Sequence, residues 1–265
     1  MEYLVVLAAL AIAISLHELG HAFAMRQHGI PLQEITLFGI GKRLFTFRLR
    51  SFFGETPINI RLIPLGAYVA PTEEGAKLVK LLPYSKQAHV FGAGIIINLA
   101  LFTFIEALRE ALHATPIWWF AGAALAVTIA FLVFNRILSA YMLPVMGPLL
   151  IYLILRSLLS GTVAPEEVIG GPVAVFDIFG THVREHSDFI GFLSLTGLLS
   201  IAIGTTNMLP FYPLDGGHLF AGAVEKIVGK SRFVTVGKYL KPAMVVCGAA
   251  LILTALGSDF LRVIR

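Results

Sequence analysis

The sequence has few charged residues and almost no cysteine. Only 14% of its 265 residues are charged, whereas an ordinary soluble domain has about 25%. The single cysteine, Cys247, excludes a disulfide framework and a cysteine-rich metal site. Hydrophobic residues make up 57% of the chain and fall in long runs, so the formal charge of +4 does not indicate nucleic-acid binding. The composition therefore predicts an integral membrane protein with the lipid bilayer as its partner.

Long apolar runs predict a mainly α, polytopic membrane protein with about six transmembrane helices in a single domain over 1–265. The third and fourth runs form an extra hydrophobic hairpin within 113–160 that either crosses the bilayer or re-enters it. Pro144 and Pro148 are expected to kink its second arm. The predicted spans are 3–24, 88–108, 116–134, 138–158, 188–209 and 242–258.

Basic residues are distributed unevenly between the two sides of the predicted membrane segments. Nine Lys or Arg lie in 25–87, five lie in 210–241, and Arg136 lies between two spans, which makes fifteen on one side. The other side carries five: Arg109, Arg156, Arg184, Arg262 and Arg265. Because cytoplasmic loops carry the excess of Lys and Arg, both termini are expected outside and the large loop in the cytoplasm.

The segment 31–70 differs from the rest because it is rich in β-branched and aromatic residues. Within it, "LFTFRLR" (44–50) alternates apolar and polar residues, which predicts short strands in a small β-sheet at the cytoplasmic face of the membrane. The segment is either a passive hairpin connector or an edge that pairs with an extended peptide, through 44–50 or 58–63. The candidate substrate-binding residues on this edge are Phe45, Phe47 and Leu49.

The motif "HELGH" places ionisable side chains inside the first apolar run. His17 and His21 are four residues apart, so on a helix they share one face and can bind one metal ion. Glu18 lies about 100° around the helix from His17, within reach of a water at that metal as a general base. This ligand type and this chemistry favour Zn²⁺. The alternative is a hydrogen-bonded polar cluster that joins helices.

A catalytic zinc needs a third protein ligand and an open position. Asp215 is the candidate, because Pro210 and Pro213 break the preceding helix and leave it near the membrane face. Asp215 could instead be a helix N-cap. His218 is a rival ligand, one helical turn away, and His28 is expected at the surface.

These residues resemble the site-2 proteases, a family of intramembrane zinc metalloproteases. The resemblance is carried by "HELGH" (17–21), "IPLGAYV" (63–69) and "NMLPFYPLDGGHLF" (207–220). It implies that His17, His21 and Asp215 are zinc ligands and that Glu18 is the catalytic glutamate. Asn207 and Asn98 correspond to family asparagines; the resemblance implies that the first binds substrate or polarises the scissile carbonyl and that the second binds substrate.

Two further segments, "FGIGKRLF" and "GGPVAVFDIFG", resemble the bacterial branch that degrades anti-sigma factors. That resemblance implies a prokaryotic plasma membrane, an active site toward the cytoplasm, and a single-span substrate such as an anti-sigma factor or a similar regulator. The chain departs from the branch in two ways. The interval that usually holds PDZ domains is hydrophobic here, so no PDZ domain is expected, and "AGIIIN" (93–98) lacks the usual proline.

The leading hypothesis is therefore an intramembrane zinc endopeptidase in regulated proteolysis. Zinc and Glu18 would activate water, and Asn207 would stabilise the oxyanion. The alternatives are a metal-binding membrane transporter and a non-proteolytic homologue that binds helices. Neither alternative requires Glu18.

Overall fold

Long helices dominate the structure, a computed structural model that describes residues 2–63, 66–113, 135–160, 172–186 and 188–264. A π-helical segment, Leu138–Met142, runs directly into helix α5. The helices are α1 (Glu2–Gln27), α2 (Arg50–Phe53), α3 (Glu73–Leu81), α4 (Tyr84–His113), α5 (Leu143–Leu159), α6 (Pro172–Glu185), α7 (Phe189–Asn207), α8 (Asp215–Val228) and α9 (Lys230–Ile264).

Five helical stretches among the described residues are long and apolar enough to cross a membrane. They are Glu2–Gln27, Tyr84–Arg109, Asn135–Leu159, Phe189–Asn207 and Lys230–Phe260. The prediction of a polytopic, mainly helical membrane protein is thus confirmed. The predicted span 116–134, and with it the first arm of the 113–160 hairpin, lies outside the described residues.

Helix α1 ends where the chain meets Gly29. This residue has φ +68°, a left-handed conformation that glycine adopts without steric cost and that commonly closes a helix. The N–H of Ile30 donates to the carbonyl of Met25, which satisfies one of the free carbonyls at the helix end. The chain thus leaves the membrane segment and enters the β region directly after the "HELGH" motif.

Helices α1, α4 and α7 pack against one another and form the centre of the molecule. Small residues let α1 and α4 approach closely, because a Cβ added to Gly20 would lie 2.8 Å from the carbonyl oxygen of Ala93. The small residues of "GAG" at 92–94 therefore serve the close packing of these two helices. This close crossing brings α4 against the motif histidines of α1.

Four strands form one mixed sheet in the order β2-β3-β1-β4. Strand β1 pairs in parallel with β3 and antiparallel with β4, and β2 pairs antiparallel with β3. The outer strands are thus β2 and β4. The bounds are β1 (Leu32–Leu37), β2 (Ile40–Phe47), β3 (Ile58–Ile63) and β4 (Tyr68–Pro71).

Two details of the predicted strands are wrong. The strand expected over 44–50 ends at Phe47, and Leu49 precedes the short helix α2. This turn buries Phe53 against Ile35 and Ile58, and the gain from burying an aromatic ring outweighs the local alternation. The strand 58–63 lies between β1 and β2 in the sheet, and its residues 58–60 pair on both sides, so this part has no free edge for a peptide.

Candidate metal and catalytic centre

Three candidate ligand atoms, two from α1 and one from the start of α8, form a small triangle. The Nε2 atoms of His17 and His21 lie 3.1 Å apart. Asp215 Oδ2 lies 3.0 Å from the first and 3.2 Å from the second. These three residues make up the one group of three or more His, Cys, Asp or Glu with metal-binding spacing found among the described residues.

Asp215 reaches the histidines because the chain breaks between α7 and α8. Helix α7 ends at Asn207, and α8 begins at Asp215 itself, as the two intervening prolines predict. The N-cap is Leu214, without a side-chain cap bond, so the alternative reading of Asp215 as an N-cap is wrong. The carboxylate at the first turn of α8 also benefits from the positive end of the helix dipole.

The two histidines are held in the tautomer that a metal requires. The carbonyl of Val90 lies 2.7 Å from His21 Nδ1 and accepts its proton. His17 Nδ1 faces Asn98 Oδ1 in the same way. With the proton on Nδ1 in each ring, both Nε2 lone pairs point into the triangle.

Asn98 contacts His17 on the Nδ1 side of its ring, which faces away from the triangle, and its side chain does not face an open site. It is fully buried. Its Nδ2 donates to the carbonyl of Ala13 at 3.1 Å and to Ser200 Oγ at 2.8 Å. Because the NH₂ group is committed to these acceptors, Oδ1 is the atom that remains for His17. The expectation that Asn98 binds substrate does not agree with this placement, which makes it a positioning residue for His17.

The triangle fits a zinc ion on chemical grounds. Two imidazole lone pairs and a carboxylate oxygen, all acceptors, face one another at about 3 Å, an arrangement that requires a cation or protons between them. Tetrahedral zinc with bonds of about 2.0–2.1 Å separates its ligands by roughly 3.3 Å, close to the observed spacing. The set of two nitrogens and one oxygen is also one that catalytic zinc uses, with a fourth position left for water.

Gly94 provides the space beside the triangle, and the sequence alone gave no indication of this role. A Cβ at this position would lie 2.5 Å from His21 Nε2 and 2.7 Å from His17 Nε2. Real Cβ atoms essentially never approach so closely. Any side chain at residue 94 would therefore displace the ligand atoms themselves.

A cavity of about 570 Å³ opens onto the triangle. Glu18 lines it, and the backbone amide of Val69 in β4 faces the Glu18 carboxylate. Asn207 also lines the cavity; its Nδ2 donates to the carbonyl of Ile203, which leaves its second amide proton available. The remaining wall is largely apolar, including Leu10, Ile14, Phe179, Leu199 and Ile203.

The candidate substrate-binding residues of the β region do not lie at this cavity. Phe45 and Phe47 are on the outer strand β2, at the opposite edge of the sheet from β4. Three strand spacings of about 4.8 Å separate these edges, roughly 14 Å in all. Leu49 is not in a strand. The edge that borders the cavity is therefore β4, a strand that sequence alternation did not single out because it has only four residues.

His218, the rival third ligand, is held away from the triangle by aromatic rings. Its ring stacks on Phe91 with centroids 4.3 Å apart, and its edge meets Tyr212 at 4.7 Å. Burial lowers the pKa of His218 below its ordinary value. His218 is thus a neutral side chain in an aromatic stack, and Asp215 occupies the third position of the triangle.

Replacing Asn98 with Leu is expected to weaken zinc binding about 10- to 100-fold, because His17 loses the partner that fixes its tautomer and ring orientation. Competition with a chelator measures this affinity. Thr103→Ala is the control, since it removes a polar side chain of the same helix whose hydroxyl donates only to the Leu99 carbonyl; we expect less than a threefold change. Unaltered zinc affinity in Asn98→Leu would show that this contact does not orient the ligand.

The chain is similar to a known family of membrane peptidases over most of its length. Residues 5–251 match the family model described as Peptidase family M50. A Clostridium perfringens protein named "Putative zinc metalloprotease CPE1693" is 23% identical, and the alignment covers 87% of this chain and 90% of that protein. A Synechocystis protein named "Putative zinc metalloprotease slr1821" is 38% identical over 40% of this chain and 31% of that protein. A Neisseria meningitidis protein named "Putative zinc metalloprotease NMA0084" is 34% identical over 46% of this chain and 28% of that protein.

Proposed function

Because this chain belongs to peptidase family M50, a family of zinc-dependent membrane metalloproteases, we propose that it is a zinc endopeptidase that cuts the transmembrane segment of a single-span membrane protein. The observation that carries this proposal is the triangle of His17, His21 and Asp215, which opens into an apolar-walled cavity lined by Glu18. The substrate is proposed to be a membrane-bound regulator, such as an anti-sigma factor, cut in regulated proteolysis.

Each polar residue of the cavity has a distinct task in peptide hydrolysis. A zinc ion held by His17, His21 and Asp215 would supply Lewis acidity to the attacked carbonyl and to water. Glu18, on the same helix as both histidines, takes the proton from water and returns it to the leaving amine. The free amide proton of Asn207 donates to the oxyanion that forms on the scissile carbonyl.

A helical substrate must unwind before its scissile bond can react, because each carbonyl accepts the N–H four residues further on. The freed backbone groups would each cost several kcal/mol if they were left unpaired in lipid. We propose that the outer edge of β4 pairs with them, since Val69 lines the cavity beside Glu18. This replaces β2 and β3 as the substrate-binding strands.

Disulfide crosslinking distinguishes the two edges of the sheet. In a Cys247→Ser background with Glu18→Gln to hold substrate uncut, Val69→Cys is expected to crosslink to a single cysteine near the scissile bond of the substrate. Phe45→Cys is the matched control, because it occupies the opposite outer strand, and no crosslink is expected there. A crosslink that forms with Phe45→Cys and not with Val69→Cys would identify β2 as the substrate-binding strand instead.

The orientation in the membrane is proposed from the charge distribution alone. The fifteen-to-five excess of Lys and Arg favours a cytoplasmic position for the β-sheet, α3 and α8, with the active site opening to that side. The substitution Lys80→Cys, in the Cys247→Ser background, should then not be labelled by a membrane-impermeant thiol reagent added to intact cells. Ready labelling from outside would reverse the orientation.

Cleavage by the purified protein in proteoliposomes tests the proposed function. With a single-span membrane protein as substrate, mass spectrometry of the products should locate the cut within or at the edge of the hydrophobic segment. A zinc chelator should stop the reaction, and added zinc should restore it. Cuts confined to the soluble part of the substrate, or cleavage that survives complete zinc removal, would contradict the proposal.

A further inference from the structure

A second pair of histidines lies at the end of α1, outside the catalytic centre. His28 follows α1 directly, and its Nε2 lies 2.9 Å from Nδ1 of His89 on α4. The rings meet edge to face, with centroids 5.0 Å apart. His28 is half-buried and His89 is 2% exposed, so the pair joins α1 to α4 in the interior.

Two polar atoms near this pair are buried without a partner: Nε2 of His89 itself, and Oγ of Ser139, which packs against Gly92, about one helical turn after His89 on α4. Among the described residues, neither His89 Nε2 nor Ser139 Oγ has a hydrogen-bond partner. Asn135 is buried beside His89, and its side chain interacts with that ring at a longer distance than an ordinary hydrogen bond. Ser139 Oγ has no such neighbour in the described part of the chain. A buried polar atom without a partner costs about 1–3 kcal/mol, so these atoms indicate a polar group that fills the space. The π-helical segment that carries Ser139 is also a feature enriched at functional sites.

Positive charge surrounds the same place. Lys86 lies three residues before His89 on α4, and Arg136 lies three residues before Ser139, so each cation shares a helix face with one of these residues. Burial, followed by the charges of Arg136 and Lys86, also lowers the pKa of His28 below its ordinary value. None of the ion pairs formed within the described parts of the chain includes Arg136 or Lys86. Two cations without a carboxylate partner, beside neutral imidazoles, favour an anion over a metal ion.

The positions of Lys86, Arg136 and His28 along their helices indicate where such an anion would come from. Lys86 is the third residue of the span Tyr84–Arg109, and Arg136 is the second residue of the span Asn135–Leu159. His28 is the first residue after the span Glu2–Gln27. In the proposed orientation, these three residues lie at the cytoplasmic ends of three spans. Lipid headgroups lie at that depth of a membrane.

We propose that Lys86, Arg136 and His28 bind a phosphate group where the end of α1 meets α4 and the π-helical segment, and that this phosphate belongs to an anionic lipid of the cytoplasmic leaflet. Lys86 and Arg136 neutralise the phosphate, and the His28–His89 pair offers N–H donors to it. The lipid then holds the end of α1 against α4. That contact is one residue from Val90, whose carbonyl orients His21, so the lipid braces the metal ligands.

Lipid binding to the intact protein in nanodiscs tests this proposal without reference to proteolysis. The probe is phosphatidylglycerol titrated into phosphatidylcholine, with bound lipid counted by native mass spectrometry. We expect one tightly retained phosphatidylglycerol in the wild type. The double variant Lys86→Gln with Arg136→Gln should bind it at least about tenfold more weakly, because each cation near an anionic headgroup contributes to attraction. His89→Leu, which removes no full charge, should weaken binding about threefold or more.

The matched control is Lys77→Gln with Arg232→Gln, which removes one Lys and one Arg that are exposed elsewhere on the same side. Affinity should change less than twofold in this control. An equal loss in both double variants would reduce the effect to general surface charge and overturn the proposal. Displacement of the lipid by millimolar inorganic phosphate would assign the site to free phosphate instead. A second zinc per chain that His28→Ala removes would identify a metal site and also overturn it.

Discussion

Replacing Glu18 with Gln is expected to abolish peptide cleavage and to leave the zinc in place. Glutamine keeps the size and hydrogen-bonding reach of the side chain but cannot accept a proton from water. Loss of a general base lowers kcat by about 10²- to 10⁴-fold. The ligands His17, His21 and Asp215 do not involve residue 18, so the zinc content should remain at one per chain. Single-turnover cleavage and elemental analysis of the same preparation measure both quantities.

The control for this substitution is Glu2→Gln, the same chemical change at the other end of α1. Glu2 pairs with Arg184 on α6, far along the helix from the cavity, and its loss should change cleavage less than twofold. The result also separates the protease from its alternatives. A metal transporter, or a homologue that only binds helices, would keep its function in Glu18→Gln. Cleavage at the wild-type rate in this variant would exclude Glu18 as the base.

Adding one methyl group at residue 94 is expected to disable the catalytic centre. The Cβ of Gly94→Ala would lie 2.5 Å from His21 Nε2, well inside van der Waals contact. Since α4 is packed tightly against α1, the imidazoles must move rather than the helix. A displacement of about 1 Å at reacting groups costs on the order of 10²-fold in rate. We expect that loss in kcat, together with about tenfold or greater weakening of zinc binding.

Gly257→Ala serves as the control for this change. Gly257 is also a glycine within a membrane-spanning helix, and nothing lies within 4 Å of a Cβ built there. The variant should bind zinc and cleave as the wild type does. If Gly94→Ala behaved like Gly257→Ala in both assays, the tight space beside the triangle would have no role in holding the ligands.

The candidate metal ligands could be predicted from the sequence because each has a local signal, although Asp215 is far from the histidines in the chain. The i, i+4 spacing puts His17 and His21 on one helix face. Two prolines indicate that the helix ends before Asp215. The supporting residues could not be found in this way. Asn98 lies 81 residues from His17 and Gly94 lies on another helix, so their roles depend on how α1 and α4 cross.

The sheet illustrates the same limit. Alternation in 44–50 indicates a strand, but it carries no information about which strand is interior and which is at an edge. The strand order follows from the parallel pairing of β1 with β3 and from the pairing of β2 with the other edge of β3. Burial of Phe53 then ends β2 early. As a result, the strand that borders the cavity is the four-residue strand β4, and not β2 or β3 as the sequence predicts.

The central claim is that His17, His21 and Asp215 hold one zinc ion, and X-ray absorption at the zinc edge tests it most directly. For the purified wild type, the spectrum should fit two imidazoles and additional oxygen ligands at about 2.0–2.1 Å, with no sulfur. Asp215→Ala should lose most of its zinc. A third imidazole in the wild-type spectrum, or full zinc retention with an unchanged spectrum in Asp215→Ala, would contradict the assigned ligand set.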